Sequence, residues 1–211
     1  MKSLFNRIIR RVAPASVPVQ PVAEPLEEPH VDDSTLTDTY LSGWFRHESG
    51  ELFEGFPINA EDTVLDIGCG DGPFAHFCAG RGAEVIFADI DADKVAGVEK
   101  MLEGSPARAV IPLVTDANPI PLPDGRASKI IAMEVLEHVE DPAQFMRELV
   151  RVAQPGAQFL ITVPAPLGES VQRELAPPAY FQHPNHIRVF GSAEFEQLIV
   201  DAGLVVERRA D

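Results

Sequence analysis

The stretch Val64-Leu65-Asp66-Ile67-Gly68-Cys69-Gly70-Asp71-Gly72-Pro73-Phe74 decides the fold. The run from Thr63 to Ile67 is mostly apolar and β-branched, as expected of a strand buried on both faces of a parallel sheet. Gly68, Gly70 and Gly72 let the backbone turn sharply and let a ligand approach the main chain. Pro73 suits the first turn of a helix, where its missing N–H costs little. Phe74, Ala75, Phe77 and Cys78 carry that helix to Gly80. Strand, glycine turn and helix N-terminus in succession form the nucleotide-site layout of a doubly wound α/β domain.

The ligand class follows from the spacing. A dinucleotide fingerprint, G-x-G-x-x-G, requires a third glycine where Pro73 stands, which argues against a nicotinamide dehydrogenase. Instead Asp66 precedes the first glycine by two residues. A carboxylate there would repel a pyrophosphate but suits a ligand carrying an ammonium and a sulfonium. The stretch resembles motif I of the class I S-adenosylmethionine (SAM)-dependent methyltransferases, close to V-L-D-x-G-C-G-x-G. The resemblance implies a mostly parallel, Rossmann-like sheet with helices on both faces. It also implies SAM as cosubstrate, with Asp66, Gly68, Cys69 and Gly70 among the residues that bind it. A tight turn with no ligand is the bland alternative.

Further segments fall in the family's order. Glu84 to Asp89 reads as the second strand, and Asp89 lies 19 positions beyond Gly70. An acid at that distance can accept hydrogen bonds from ribose hydroxyls; Asp89 matches motif II, and Ile90 follows it as a cofactor contact. Asp89, Asp91 and Asp93 alternate like the start of a calcium loop, but Lys94 and Lys100 occupy the positions that need Gly and Glu. Asp91 instead suits the cap of a helix from Ala92 to Glu103. Ala109 to Thr115 is a third strand. Asp116-Ala117 and the proline-rich loop from Asn118 to Gly125 resemble the family's D-A-x-x-L-P segment. That implies Asp116 facing the adenine amino group and Ala117 against the ring with its N–H available; a loop cap is the alternative for Asp116. Ser128 to Met133 is a fourth strand, expected to end at the same crevice as Gly68, with Met133 near the cofactor.

Glu134-Val135-Leu136-Glu137-His138 follows, and this E-V-L-E-H resembles the ubiquinone-biosynthesis-like group (methyltransferase type 11). The resemblance runs from about Glu61 to Arg209. Glu134, Glu137, His138 and His186 are donors suited to Mg, Mn or Zn. Their pattern resembles that of metal-dependent O-methyltransferases, with His183 as a weaker ligand candidate. His138 or His186 could instead act as a metal-free general base. Asp141-Pro142 opens a helix to Val152, and Gln158 to Val163 is the fifth strand. A long loop from Pro164 to Val189 carries Tyr180, Phe181, His183 and His186. Ser192 caps a last helix, and Leu204 to Arg208 is the sixth strand. The family's seventh, antiparallel strand, placed between the fifth and sixth, has no evident candidate.

Composition sets the remaining bounds. The 211 residues are 45% hydrophobic, enough for one α/β domain with a sizeable core. A net charge of −16 argues against a broad nucleic-acid surface. Cys69 and Cys78 fit reduced thiols of a cytoplasmic protein. Met1 to Val12 holds Lys2, Arg7, Arg10 and Arg11, with apolar residues at helical spacing. It reads as a disordered tail or as a basic amphipathic helix giving peripheral membrane contact. The expected division is a disordered, basic then Pro/acid-rich segment over 1–35, a capping helix over 36–60, and the SAM-binding domain over 61–211. In the capping region Tyr40, Trp44 and His47 serve as lid or anchor, and deleting Met1 to Pro29 should leave folding nearly intact. The expected activity is O-methylation of a small-molecule or lipid-linked acceptor; a non-catalytic SAM-binding or partner module is the alternative.

Overall fold

The computed structural model describes residues 4–10, 43–177, 181–182 and 185–210. Its strands in chain order are β1 (Leu4–Arg10), β2 (Trp44–Arg46), β3 (Glu51–Phe53), β4 (Phe56–Pro57), β5 (Thr63–Ile67), β6 (Glu84–Asp89), β7 (Ala109–Val114), β8 (Ala127–Met133), β9 (Ala153–Pro164) and β10 (Val205–Ala210). The helices are α1 (Pro73–Gly80), α2 (Ala92–Met101), α3 (Pro142–Val152), α4 (Pro166–Leu175) and α5 (Ser192–Asp201). A short 3-10 turn covers Leu136–His138. The chain forms two compact units, Pro14–Val114 and Met1–Ala13 with Thr115–Asp211.

In the Pro14–Val114 unit, β5, β6 and β7 pair in parallel, with a helix on each crossover. Every residue of β5 is buried, as its apolar run predicts. The helix after the glycine turn buries Ala75, Phe77, Cys78 and Ala79. Asp91 caps α2, its side chain accepting from the N–H groups of Asp93 and Lys94. The capping helix expected over 36–60 is corrected where residues are described: β2, β3 and β4 form an antiparallel meander, pairing Trp44 with Phe53 and Phe53 with Phe56. Gly43, Gly50 and Gly55 all have positive φ, so they break a helix and supply turns, while the aromatic residues favour strands. Trp44 is an anchor: it is buried, its ring 4.8 Å from Phe53 and 5.5 Å from Phe74. His47 is exposed against Phe77. Tyr40 lies outside the described residues.

In the other unit the strand order is β10-β1-β9-β8, with β8 and β9 parallel. β1 runs antiparallel to both neighbours, pairing Leu4 with Pro164 through Arg10 with Gln158 on one side. On the other side it pairs Asn6 with Ala210 through Arg10 with Val205. Two expectations are thereby corrected. The seventh strand exists in its usual place between the fifth and the sixth, but it comes from the N-terminus. Residues 4–10 are neither a tail nor an amphipathic helix, so the helical basis for membrane contact falls. The physical reason is backbone satisfaction: β9 and β10 would each present an open edge, and β1 occupies both.

Three smaller corrections follow. The expected loop from Pro164 contains α4, opened by Pro166. β9 begins at Ala153, with a register shift where Pro155-Gly156 passes β8. Gly191, rather than Ser192, is the N-cap of α5, and it makes no side-chain cap bond. Among the described residues no helix is long and apolar enough to cross a membrane.

Candidate functional site

The glycine turn is held from below and open in front. Gly68 and Cys69 both donate their N–H to Ala88 O, at 2.8 and 3.0 Å, which pins the turn to the end of β6. Gly70 N–H donates to Asp89 Oδ2 at 3.0 Å, and Asp91 N–H to Asp89 Oδ1 at 3.0 Å. Asp89 therefore ties the turn after β5 to the turn after β6. Gly68, Gly70 and Gly72 have φ of 73°, 52° and 79°, where an L side chain is strained. A Cβ on Gly70 would meet nothing within 4 Å, whereas one on Gly72 would lie 2.6 Å from Val98 Cγ2. Gly72 is thus a packing glycine, and Gly70 borders open space.

Charge sharpens the picture. Asp66 is 1% exposed, and its Oδ2 has no hydrogen-bond partner among the described residues. Burial pushes its carboxyl up to about 7; the Ala75 N–H opposes the shift, and the nearby Asp89 charge adds to it. Burial, with Asp66 and Asp89, also pushes the Cys69 thiol up to about 12. Cys69 is therefore an inert thiol, and it can serve a ligand only by backbone or by shape. Ile90 is 74% exposed beside Asp89, an uncovered apolar side chain.

The Thr115–Asp211 part holds the other sequence-predicted residues. Asp116 Oδ1 accepts from Asn118 N–H at 3.0 Å, the loop-cap geometry. Ala117 has φ 62°, and its N–H is given to Thr115 Oγ1 at 3.0 Å rather than held ready for a ligand. The loop beyond is clamped from α3: Arg151 donates to Ile120 O and Leu122 O, each at 2.8 Å, and to Asp124 at 2.9 Å. Glu148 accepts from Ile120 N–H and from Arg151, and the Arg151 guanidinium holds its carboxyl below the usual range. Met133, at the end of β8, is nearly buried.

The E-x-x-E-H segment divides. Glu134 has φ 56° and donates its N–H to Thr162, both O and Oγ1 at 3.2 Å. Glu137 is fully buried in the 3-10 turn, its Oε1 3.9 Å from His138 Nε2. The His138 and His186 rings meet edge to face, centroids 4.8 Å apart. One ligand atom from each of Glu137, His138 and His186 lies within 4.8 Å of the others. Three of the four expected donors are thus together, and Glu134 is not in that group. His183 lies outside the described residues. One residue was missed: Glu169, 3% exposed on α4, places Oε1 3.0 Å from His186 Nδ1. A helix opening at Pro166 would have been its sequence signal.

Comparison with known proteins places this geometry. The Methyltransferase domain family matches residues 44–208. A Mycolicibacterium smegmatis protein named "Probable S-adenosylmethionine-dependent methyltransferase" is 34% identical over 168 residues, covering 78% of this chain and 60% of that protein. The "Probable tocopherol O-methyltransferase, chloroplastic" of Oryza sativa is 34% identical over 121 residues, 54% of this chain and 33% of the relative. The chain therefore spans less than two thirds of either relative. A SAM-dependent methyltransferase structure from Aquifex aeolicus superposes with a TM-score of 0.60 at 22% identity, covering 85% of this chain and 92% of that one. With its glycine turn, its Asp89 anchor and the methyltransferase-domain match over residues 44–208, the chain belongs to the class I SAM-dependent methyltransferases.

Proposed function

We propose that the protein transfers the methyl group of SAM to a hydroxyl oxygen of a small-molecule or lipid-linked acceptor. One observation carries the oxygen acceptor: two imidazoles, His138 and His186, lie edge to face and are backed by the carboxylates of Glu137 and Glu169. A sulfonium methyl is already activated, so the protein's work is alignment and exclusion of water. A hydroxyl, unlike an amine, must also lose its proton, which calls for a base. The acceptor oxygen attacks the methyl carbon, the carbon–sulfur bond breaks, the sulfonium becomes a thioether, and the hydroxyl proton passes to an imidazole. In this reading Asp89 holds the ribose, and Gly68, Cys69 and Gly70 line the cosubstrate. Asp66 faces its aminoacyl end, and Ile90 adds an apolar contact beside Asp89. The tocopherol relative and the acidic charge support a small acceptor over nucleic acid.

A divalent ion is the second reading, favoured by the cluster of Glu137, His138 and His186. One carboxylate and two imidazoles suit a transition metal with open positions, and a bound ion would lower the acceptor hydroxyl's pKa. The test is radiolabelled methyl transfer from SAM to a metabolite pool by wild type, His138→Ala and His186→Ala. Turnover should fall sharply in one or both variants while SAM affinity, read by calorimetry, holds. Full turnover in both refutes the imidazole role. Turnover insensitive to a chelator refutes the metal.

A further inference from the structure

We infer that Glu169 is a positioning residue for His186, holding it as the Nδ1–H tautomer so that exchange with an acceptor or an ion goes through Nε2. The inference deepens the proposed function and rests on His186 serving the acceptor.

The geometry is specific. Glu169 is a carboxylate buried to 3%, and its Oε1 lies 3.0 Å from His186 Nδ1. Its Oε2 is buried with no hydrogen-bond partner among the described residues. A carboxylate so placed is costly unless a charge or donor faces it, and among the described residues it is this ring that faces it. A carboxylate oxygen accepts, so Nδ1 carries the proton and Nε2 carries the lone pair. The arrangement matches the carboxylate–histidine pairs that fix ring orientation around catalytic and metal centres.

The main chain fixes His186 separately. Ile187 N–H donates to Glu137 O at 3.0 Å, and Arg188 donates to Val139 O at 2.6 Å and to Glu140 O at 3.1 Å. These bonds tie the His186 loop to the 3-10 turn that carries Glu137 and His138. They set where the His186 backbone lies, but they leave ring rotation and tautomer open. Glu169, reaching across from α4, supplies the acceptor that selects the tautomer, and the edge-to-face His138 ring also bears on the ring's rotation.

The test uses the full chain with 15N-labelled histidine. Wild type should show His186 as the Nδ1–H tautomer. Glu169→Leu, which keeps bulk and removes the acceptor, should shift His186 toward a tautomer mixture. The same variant should lower kcat by about 10–100-fold, the usual loss for such a supporting carboxylate, with SAM affinity unchanged. Glu169→Gln, which keeps an acceptor oxygen, should recover part of both signals and guards against a Leu variant that fails to fold. An unchanged tautomer in folded Glu169→Leu overturns the inference, as does an unchanged kcat. Full turnover in His186→Ala instead overturns the acceptor reading, and the tautomer measurement still judges the Glu169 contact.

Discussion

A cosubstrate ammonium placed against the buried carboxyl of Asp66 should make SAM binding proton-linked. In the free protein it titrates at about 7, against an ordinary 3.8, chiefly because burial disfavours its charge. If the ammonium of SAM comes to face Asp66, the ionised form is favoured and binding expels the proton. The free carboxyl is about nine-tenths protonated near pH 6 and about one-quarter protonated near pH 7.5. Binding should therefore release about 0.9 proton near pH 6 and about 0.2 near pH 7.5, with affinity rising about eightfold between them. Calorimetry in two buffers of different ionisation heat reads the released proton directly. Asp66→Asn should abolish the release and flatten the pH dependence of affinity. The same shift acts on the ligand-free protein with a fixed sign. Between about pH 4 and 7 the folded state holds a proton that the unfolded chain has lost, so stability falls as pH rises through that window. The whole drop is on the order of 4 kcal/mol at most, and Asp66→Asn should melt higher than wild type near pH 8. Equal proton release by Asp66→Asn and wild type would refute the reasoning.

Two further perturbations separate packing from ligand approach. Gly72→Ala meets strain at φ 79° and contact with Val98 Cγ2 at 2.6 Å, so it should lower stability by about 2–4 kcal/mol in thermal melts. Gly70→Ala meets only the strain at φ 52°, about 1 kcal/mol; its larger effect should be on SAM affinity, and normal binding would remove the turn from the site. Deleting residues 1–10 opens the edge of β9 along the seven positions paired with β1, and the facing edge of β10. At about 1 kcal/mol per hydrogen bond the loss is several kcal/mol. The deletion should lower Tm and promote association by exposed edges, seen by light scattering; an unchanged Tm with a single species contradicts the strand's role.

Where local chemistry decides the structure, the residues were legible in order. Asp91 and Asp141 cap the helices that their position before Ala92 and Pro142 announces. The turn of Gly68, Gly70 and Gly72 carries the positive φ that its glycines permit. Site residues fixed by distant partners were less legible. Ala117 was expected to keep its N–H for a ligand, but Thr115, two residues earlier, supplies the nearer acceptor. Glu134 and Glu137 look alike in E-x-x-E-H, yet the backbone turns at Glu134 and sends only Glu137 toward the two histidines. Glu169 was hidden because Gly168 weakens the helical pattern of Pro166–Leu175.

The seventh strand shows why spacing alone misleads at a terminus. Leu4, Phe5, Ile8, Ile9 and Val12 do recur at helical intervals, and an isolated segment of that length has no other pattern to obey. A strand sandwiched between two strands obeys a different constraint. Its N–H and C=O groups alternate toward both neighbours, so satisfaction comes from partners far along the chain rather than from periodicity. Those partners, Gln158–Pro164 and Val205–Ala210, sit at the other end of the sequence. The reliable sign was therefore the missing element itself. A sheet of this family whose fifth and sixth strands have no seventh between them leaves two open edges, and an open pair of edges asks which unassigned β-branched stretch can close it. Phe5, Ile8 and Ile9, aromatic and β-branched, were such a stretch. The strand that closes both edges is supplied from the opposite end of the sequence.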